Sequence, residues 1–220
     1  MPHTKTIVSR FLVSSLLVSF MLPAWADDKA KDEETIRNAA TVLQAMQTDK
    51  SIPSGLIGKA NCVLILPSVK KFAIGIGGSG GRGPMICRTH GKWSAPAMFT
   101  IGGASAGLQL GGSATDYVLL IMAPAAVDKV LSGKTKVGSD VTAAAGPGAT
   151  TTNSVGGADI LTYGRAKGLF AGVSLSGASL QPDDSANARL YGKTVSATDI
   201  VHGGVQPTPA GESLVSAVQH

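Results

Sequence analysis

Short apolar segments interrupted by glycine are the feature that most constrains the fold. From Lys70 to Gly77, large apolar residues occupy every second position and small residues lie between them. A period of two is the signature of a β-strand with two different faces. Similar segments recur at Ala97–Gly112 and Leu169–Leu180, and Tyr117–Met122 is a further apolar strand. Because glycine allows strands to bend and approach closely, the pattern predicts a strongly curved antiparallel sheet or a barrel-like core.

Helical patterns lie beside these strands. Asp32–Gln47 begins with acidic residues and carries a narrow apolar stripe at helical spacing: Ile36, Ala39, Ala40, Leu43 and Met46. Its polar face has little positive charge, so packing on the domain is favoured over lying on a membrane. A second short helix is predicted at Pro124–Ser132, and a further turn or two at Pro53–Lys59. The predicted class is α+β, with an N-terminal helix and short peripheral helices.

Composition excludes two other kinds of chain. The 28 glycines follow no three-residue repeat, which excludes collagen, and 44% hydrophobic residues is too apolar for general disorder. We predict one domain over residues 27–200. Residues 201–220 contain Pro207 and Pro209, and we interpret them as a loosely ordered tail.

The first 26 residues have the pattern of a secretory signal peptide. Lys5 and Arg10 precede the apolar run Phe11–Leu22, and Ala24-Trp25-Ala26 forms an Ala-x-Ala site before Asp27. A membrane anchor is the alternative, but it needs about 20 apolar residues. We therefore predict cleavage between Ala26 and Asp27, and a periplasmic or secreted protein that is compatible with peripheral membrane contact.

The chain has two cysteines, Cys62 and Cys87, each in an apolar segment with strand character. In an oxidising compartment they can form a disulfide between strands, which would stabilise the fold by roughly 3 kcal/mol. The alternative is a pair of buried free thiols. Two cysteines this far apart do not form a recognisable zinc site, and no metal site is predicted.

Motifs that resemble catalytic or nucleotide-binding sites lack their structural context. Gly75–Gly80 matches a dinucleotide fingerprint, but the residues after it do not favour a helix. Gly133-Lys134-Thr135 lacks the first glycine of a phosphate-binding loop. Ser79 and Ser105 lie in G-x-S-x-G matches with no helix pattern behind them, so a serine hydrolase is the less favoured alternative. We predict no catalytic residues and no cofactor.

The acidic residues also do not indicate a catalytic pair. Five aspartates flank strands and turns, where this residue normally makes local hydrogen bonds: Asp116, Asp140, Asp159, Asp183 and Asp184.

Basic residues form small groups near the glycine-rich segments. If those segments are antiparallel hairpins, several groups come together at one end of the sheet. A cationic rim with glycine backbone amides suits phosphate head groups, whereas the alternative is an ordinary solvated charge distribution. The net charge is only mildly basic and does not indicate nucleic acid. The candidate head-group contacts are Lys70, Lys71, Arg82, Arg165 and Lys167.

A series of motifs resembles the SYLF domain over about Glu34 to Lys193. They are Ile52-Pro53, Lys59-Ala60-Asn61-Cys62, Leu66-Pro67-Ser68-Val69-Lys70-Lys71, Gly80-x-x-Gly83, Trp93-Ser94-Ala95-Pro96, Gly107-Leu108-Gln109-Leu110-Gly111, Gly168-Leu169-Phe170-Ala171-Gly172-Val173-Ser174-Leu175 and Asn187 with Tyr191-Gly192. The resemblance implies a noncatalytic lipid-binding module. Eukaryotic members are described as binding phosphoinositides, and fungal members as binding actin.

For an exported member, the transferable property is affinity for anionic phospholipid. We therefore expect a lipid-binding domain of the cell envelope, in contact with a membrane surface. The alternative is a structural envelope protein, or one whose glycine-rich surface binds another protein.

Overall fold

The computed structural model describes residues 24–74, 76–106, 111–133, 135–145, 158–166, 169–171, 175 and 177–219. Most of the predicted signal peptide lies outside these residues, so its cleavage stays a prediction. The predicted cleavage position, between Ala26 and Asp27, lies in the first turn of the first helix.

Five helices and ten strands are described. In chain order they are α1 (Ala24–Thr48), β1 (Cys62–Ile74), β2 (Ile76–Thr89), β3 (Lys92–Trp93), β4 (Ala97–Ala106), β5 (Gly111–Ile121), α2 (Pro124–Ser132), β6 (Thr135–Lys136), β7 (Ala143–Ala145), β8 (Ile160–Ala166), β9 (Leu169–Ala171), β10 (Ser179–Pro182), α3 (Asp184–Tyr191), α4 (Ala197–Val201) and α5 (Pro209–Gln219). A short 3₁₀ turn, Ile57–Lys59, precedes β1.

The strands form one curled sheet in the order β6-β10-β4-β2-β1-β5-β8-β7, with β3 beside β2 and β9 beside β8. Every described pair is antiparallel except β7 with β8. The predicted α+β class with a curved antiparallel sheet is confirmed. The predicted strand at Leu169–Leu180 is instead divided between β9 and β10, with part of the segment outside the described residues.

Both faces of the sheet are covered. In β1, the side chains of Leu64 and Leu66 enter a core shared with α2 and α4, which we call the α2 face. Val63 and Ile65 enter a second core under α1, α3 and α5, which we call the α1 face. A strand that is buried on both sides has a continuous apolar sequence, which explains the unbroken run at Cys62–Leu66.

Helix α1 lies across the α1 face. Its predicted apolar stripe is buried, and Ile36, Leu43 and Met46 have no exposed area. The prediction that this helix packs on the domain is confirmed. Among the described residues, no helix is both long enough and apolar enough to span a bilayer.

A bulge interrupts β1 at Pro67 and Ser68. The pairing with β5 shifts register between Leu66 and Val69. Ser68 has a left-handed φ of 52°, and its N–H donates to the Asp116 carboxylate at 2.8 Å. Such a bulge bends the strand and turns its later side chains to new directions.

The prediction of a loosely ordered tail over 201–220 is wrong for residues 209–219. These form α5, which buries Ala210, Leu214, Ala217 and Val218 against the core under α1. The prediction depended on Pro207 and Pro209. However, Pro209 stands at the first position of the helix, where a missing N–H costs nothing.

Cys62 and Cys87 are joined by a disulfide. The two residues face each other directly across β1 and β2, with Cα atoms 4.0 Å apart. The predicted disulfide between strands is confirmed. It joins β1 and β2 at the end far from the β1–β2 turn.

Gly83 provides a test of the close approach between β1 and β2. An added Cβ would lie 1.9 Å from the Ile65 carbonyl oxygen, which is backbone and cannot move aside. We expect Gly83→Ala to lower the free energy of unfolding by about 2–3 kcal/mol in urea titrations. Gly80→Ala, whose Cβ would meet its nearest atom at 4.0 Å, is the matched control. Equal stability of the two variants would contradict this explanation.

The disulfide provides a second test. Because it closes a loop with a sequence separation of 25, its reduction should destabilise the fold by about 3 kcal/mol. For a domain of this size, that lowers the midpoint of thermal unfolding by roughly 6–12 °C. The double variant Cys62→Ala/Cys87→Ala should not respond to reductant. An unchanged midpoint in wild-type protein that shows two titratable thiols would contradict the prediction.

Candidate anion-binding surface

Three strand connections begin at the same end of the sheet: two belong to the hairpins β1–β2 and β8–β9, and the third joins β4 to β5, which are not paired with each other. The turns join β1 to β2, β4 to β5, and β8 to β9, and β1, β4 and β8 run in the same direction. The ends of the strands that border the glycine-rich segments therefore lie together. The turn residues 75, 107–110 and 167–168 lie outside the described residues.

Lys70 and Arg82 lie next to each other on the α1 face near this end. Lys70 pairs with Gly80 on β2, and Arg82 follows Gly80 by two residues, so both project to the same side. Such diagonal neighbours are about 7–8 Å apart between their Cα atoms. Lys70 is exposed and Arg82 is half-buried, while Gly80 between them leaves the backbone open to solvent.

A cross-strand row extends this surface toward the sheet edge. Lys136 pairs with Ser179, which pairs with Gly102, which in turn pairs with Gly80. Lys136 therefore shares the face of Lys70, and both lysines are exposed. Lys136 was not among the predicted contacts, because pairing through three intervening strands is not visible in the sequence.

Arg165 lies on the same face on the other side of Lys70. It pairs with Asp116 on β5, two residues beyond Ala114, the partner of Lys70. Its Nε is 3.7 Å from the Asp49 carboxylate at the end of α1. Partial burial raises the pKa of Asp49, but hydrogen bonds from Ser51 and the Arg165 charge outweigh it and lower the pKa overall.

Two predicted contacts do not join this surface. Lys71 projects from the α2 face, where its Nζ lies 5.8 Å from the centre of the Tyr117 ring. A cation over an aromatic ring is a local packing contact. Lys167 lies outside the described residues.

The sequence suggested that Arg82 is a free surface cation, but in the structure it is paired. It forms an ion pair with Asp32 of α1, whose side chain has no exposed area. Arg189 of α3 binds the same carboxylate, with Nε 2.8 Å from Oδ2 and Nη2 3.3 Å from Oδ1. A buried carboxylate requires such partners. One signal could have indicated it, because Asp32 precedes Ile36 by four residues and so extends the buried stripe of α1.

Four of the aspartates accept backbone hydrogen bonds at turns and strand ends, as predicted. Asp183 caps α3 through the Ala186 N–H, and Asp116 holds the β1 bulge. Hydrogen bonds from the Lys136 and Thr142 backbone lower the pKa of Asp140 and Asp159, respectively. In the described part of the chain, no cluster of three His, Cys, Asp or Glu residues could hold a metal ion.

The two motif serines lie within strands. Ser79 is in β2, where its hydroxyl lies 3.5 Å from the Gly103 carbonyl oxygen, and Ser105 is in β4. A nucleophile elbow needs a strand-to-helix turn, which neither position provides.

Comparison with known proteins connects this domain to a family of binding proteins. A family model described as "Ysc84: Las17-binding protein actin regulator" matches residues 102–220, which include α5. The chain is 33% identical to human SH3 domain-containing YSC84-like protein 1 over 186 residues, which is 82% of this chain and 54% of the relative.

Two yeast proteins are also similar. LAS seventeen-binding protein 3 of Saccharomyces cerevisiae is 30% identical over 184 residues, covering 80% of this chain and 40% of the relative. Protein YSC84 of the same species is 30% identical over 197 residues, covering 86% and 42%. This chain thus spans about half or less of the length of these relatives. The matched family model and these similarities show that the chain belongs to the Ysc84 family, the family of the SYLF domain.

Proposed function

We propose that this protein is a noncatalytic lipid-binding domain of the cell envelope that recognises anionic phospholipid head groups. The observation that carries the proposal is the arrangement of Lys70 and Arg82 on either side of Gly80. Two cations at this spacing can approach the same phosphate. The glycine between them adds no side chain that would keep the phosphate from the backbone.

Lys70 is an available cation of this surface. It is exposed, and none of the ion pairs formed by the described residues includes it. Gly80, Gly102 and Ala114 around it are also exposed. A long side chain above small neighbours can reach an anion without steric competition.

The basic residues extend in a row rather than around a pocket. With strands about 4.8 Å apart, Lys136 lies about 19 Å from Lys70 on one side, and Arg165 about 10 Å on the other. A row of this length matches several lipid head groups in a membrane plane better than a single small ligand. Each cation near an anionic membrane contributes about 1 kcal/mol.

Export to an oxidising compartment is part of the proposal. It is supported by the signal-like pattern at residues 1–26 and by the disulfide between Cys62 and Cys87. In that compartment the phospholipid of the envelope is an available anionic surface.

A protein partner is the second candidate function. The family is described by the binding of the protein Las17 and by actin regulation. For an exported chain, the corresponding role is a structural or partner-binding protein of the envelope, with the exposed glycine-rich sheet as the contact surface.

Vesicle sedimentation tests the proposal. We expect wild-type protein to sediment with phosphatidylglycerol vesicles and not with phosphatidylcholine vesicles, and to be released by salt. Lys70→Glu should weaken binding by about tenfold or more, because it changes the surface charge by two units. Lys92→Glu is the matched control, since Lys92 is exposed on β3 at the opposite end of the sheet.

Equal and negligible sedimentation with both vesicle types would contradict lipid binding. Specific capture of an envelope protein by the same wild-type protein would then favour the second candidate. An equal loss of binding in Lys70→Glu and Lys92→Glu would show that only overall charge matters, and would contradict the proposed surface.

A further inference from the structure

Asp32 lies between two arginines, and its single negative charge balances the positive charge of only one of them. Arg82 reaches it from β2 and Arg189 from α3, while the carboxylate itself is completely buried. The three groups together carry an excess of one positive charge.

The neighbouring acidic residues do not cancel this excess. Asp27 and Asp28 form ion pairs with Lys31, and Glu33 pairs with Arg37. Within the described part of the chain, Asp32 is the one carboxylate within 4.0 Å of Arg82 or Arg189.

The arginine on the sheet is more exposed than the arginine on α3. The Arg82 side chain is 36% exposed, whereas that of Arg189 is 20% exposed. The Nε of Arg82 is buried, and it has no hydrogen-bond partner among the described residues. Asp32 thus fixes the guanidinium in place without using all of its donors.

We propose that Asp32 and Arg189 together set the charge that Arg82 presents to an anionic head group. This inference rests on the proposed lipid-binding function and concerns the same surface. Without Arg189, Asp32 and Arg82 would form a neutral pair. With Arg189 present, the carboxylate is shared, and Arg82 acts toward the membrane as a cation. Arg189 is therefore a positioning residue for head-group binding, although it belongs to α3 and not to the basic row.

The proposed effect of Arg189 on Arg82 does not require α1 to move. Release of Asp32 would require the helix to leave the sheet and expose Ile36, Leu43 and Met46, which are fully buried. Burial of each such side chain is worth about 1.5–3 kcal/mol, more than one head-group contact provides. The effect of Arg189 on Arg82 is therefore electrostatic within a fixed structure.

A set of charge variants tests the inference with phosphatidylglycerol vesicles. Arg189→Gln should weaken binding by about three- to fivefold, while Arg189→Lys stays within about twofold of wild type. Asp32→Asn should strengthen binding by about three- to fivefold, because it removes the balancing charge. The double variant Asp32→Asn/Arg189→Gln restores the original charge and should bind within about twofold of wild type.

Folding of each variant is checked by circular dichroism and thermal unfolding. Tighter binding by Asp32→Asn is the informative sign, since structural damage to the surface would weaken binding. If Asp32→Asn does not fold, the test depends on the two Arg189 variants. Weaker binding by Arg189→Gln than by Arg189→Lys supports the inference, and equal binding overturns it.

The two proposals fail in different ways. If wild-type protein binds anionic vesicles but Arg189→Gln binds equally well, the role of Arg189 is overturned and lipid binding stands. If Asp32→Asn folds and binds more weakly than wild type, the inference is also overturned. If wild-type protein does not bind anionic vesicles, both proposals are overturned together.

Discussion

The structure depends on strand β1, which is buried on both faces and paired on both edges. Its alternate side chains enter the two cores, and its backbone pairs with β2 on one side and β5 on the other. The disulfide between Cys62 and Cys87 joins its first residue to β2. The bulge at Pro67 and Ser68 then turns the strand before Lys70. Because the bulge shifts the alternation by one residue, Lys70 rather than Lys71 lies on the α1 face.

Glycine has two different roles along the partner strand β2. Gly83 faces the β1 backbone so closely that no side chain fits, and it is part of the packing. Gly80 lies three residues closer to the β1–β2 turn and is exposed opposite Lys70. The same residue type therefore permits close strand contact in one place and open access to the backbone in the other. Among the described residues around Lys70, the exposed Gly80, Gly102 and Ala114 are small.

Ion pairs connect α1 and α3 to the proposed anion-binding surface. Asp32 lies near the beginning of α1, and Asp49 follows its end. Each of these aspartates forms an ion pair with an arginine of the sheet. Arg189 links α3 to the first of these contacts. One yeast relative is named for protein binding, and the matched region covers 40% of its length. The proposed surface therefore depends on two acidic residues on the same face of the sheet, the buried Asp32 and the exposed Asp49.

Local sequence patterns were enough to predict the classes of element and several contacts. Alternation of large and small residues indicated the curved sheet, the stripe of α1 indicated its buried face, and two cysteines in apolar strands indicated the disulfide. These signals are local, because each depends on a period of two or 3.6 residues. Only the tertiary structure decided which basic residues share a face. The bulge placed Lys70 rather than Lys71 on the α1 face, pairing through β10 and β4 placed Lys136 on the same face, and the buried Asp32 forms an ion pair with Arg82. It also decided that residues 209–219 form a packed helix, since the apolar face of α5 is stable only against the core under α1.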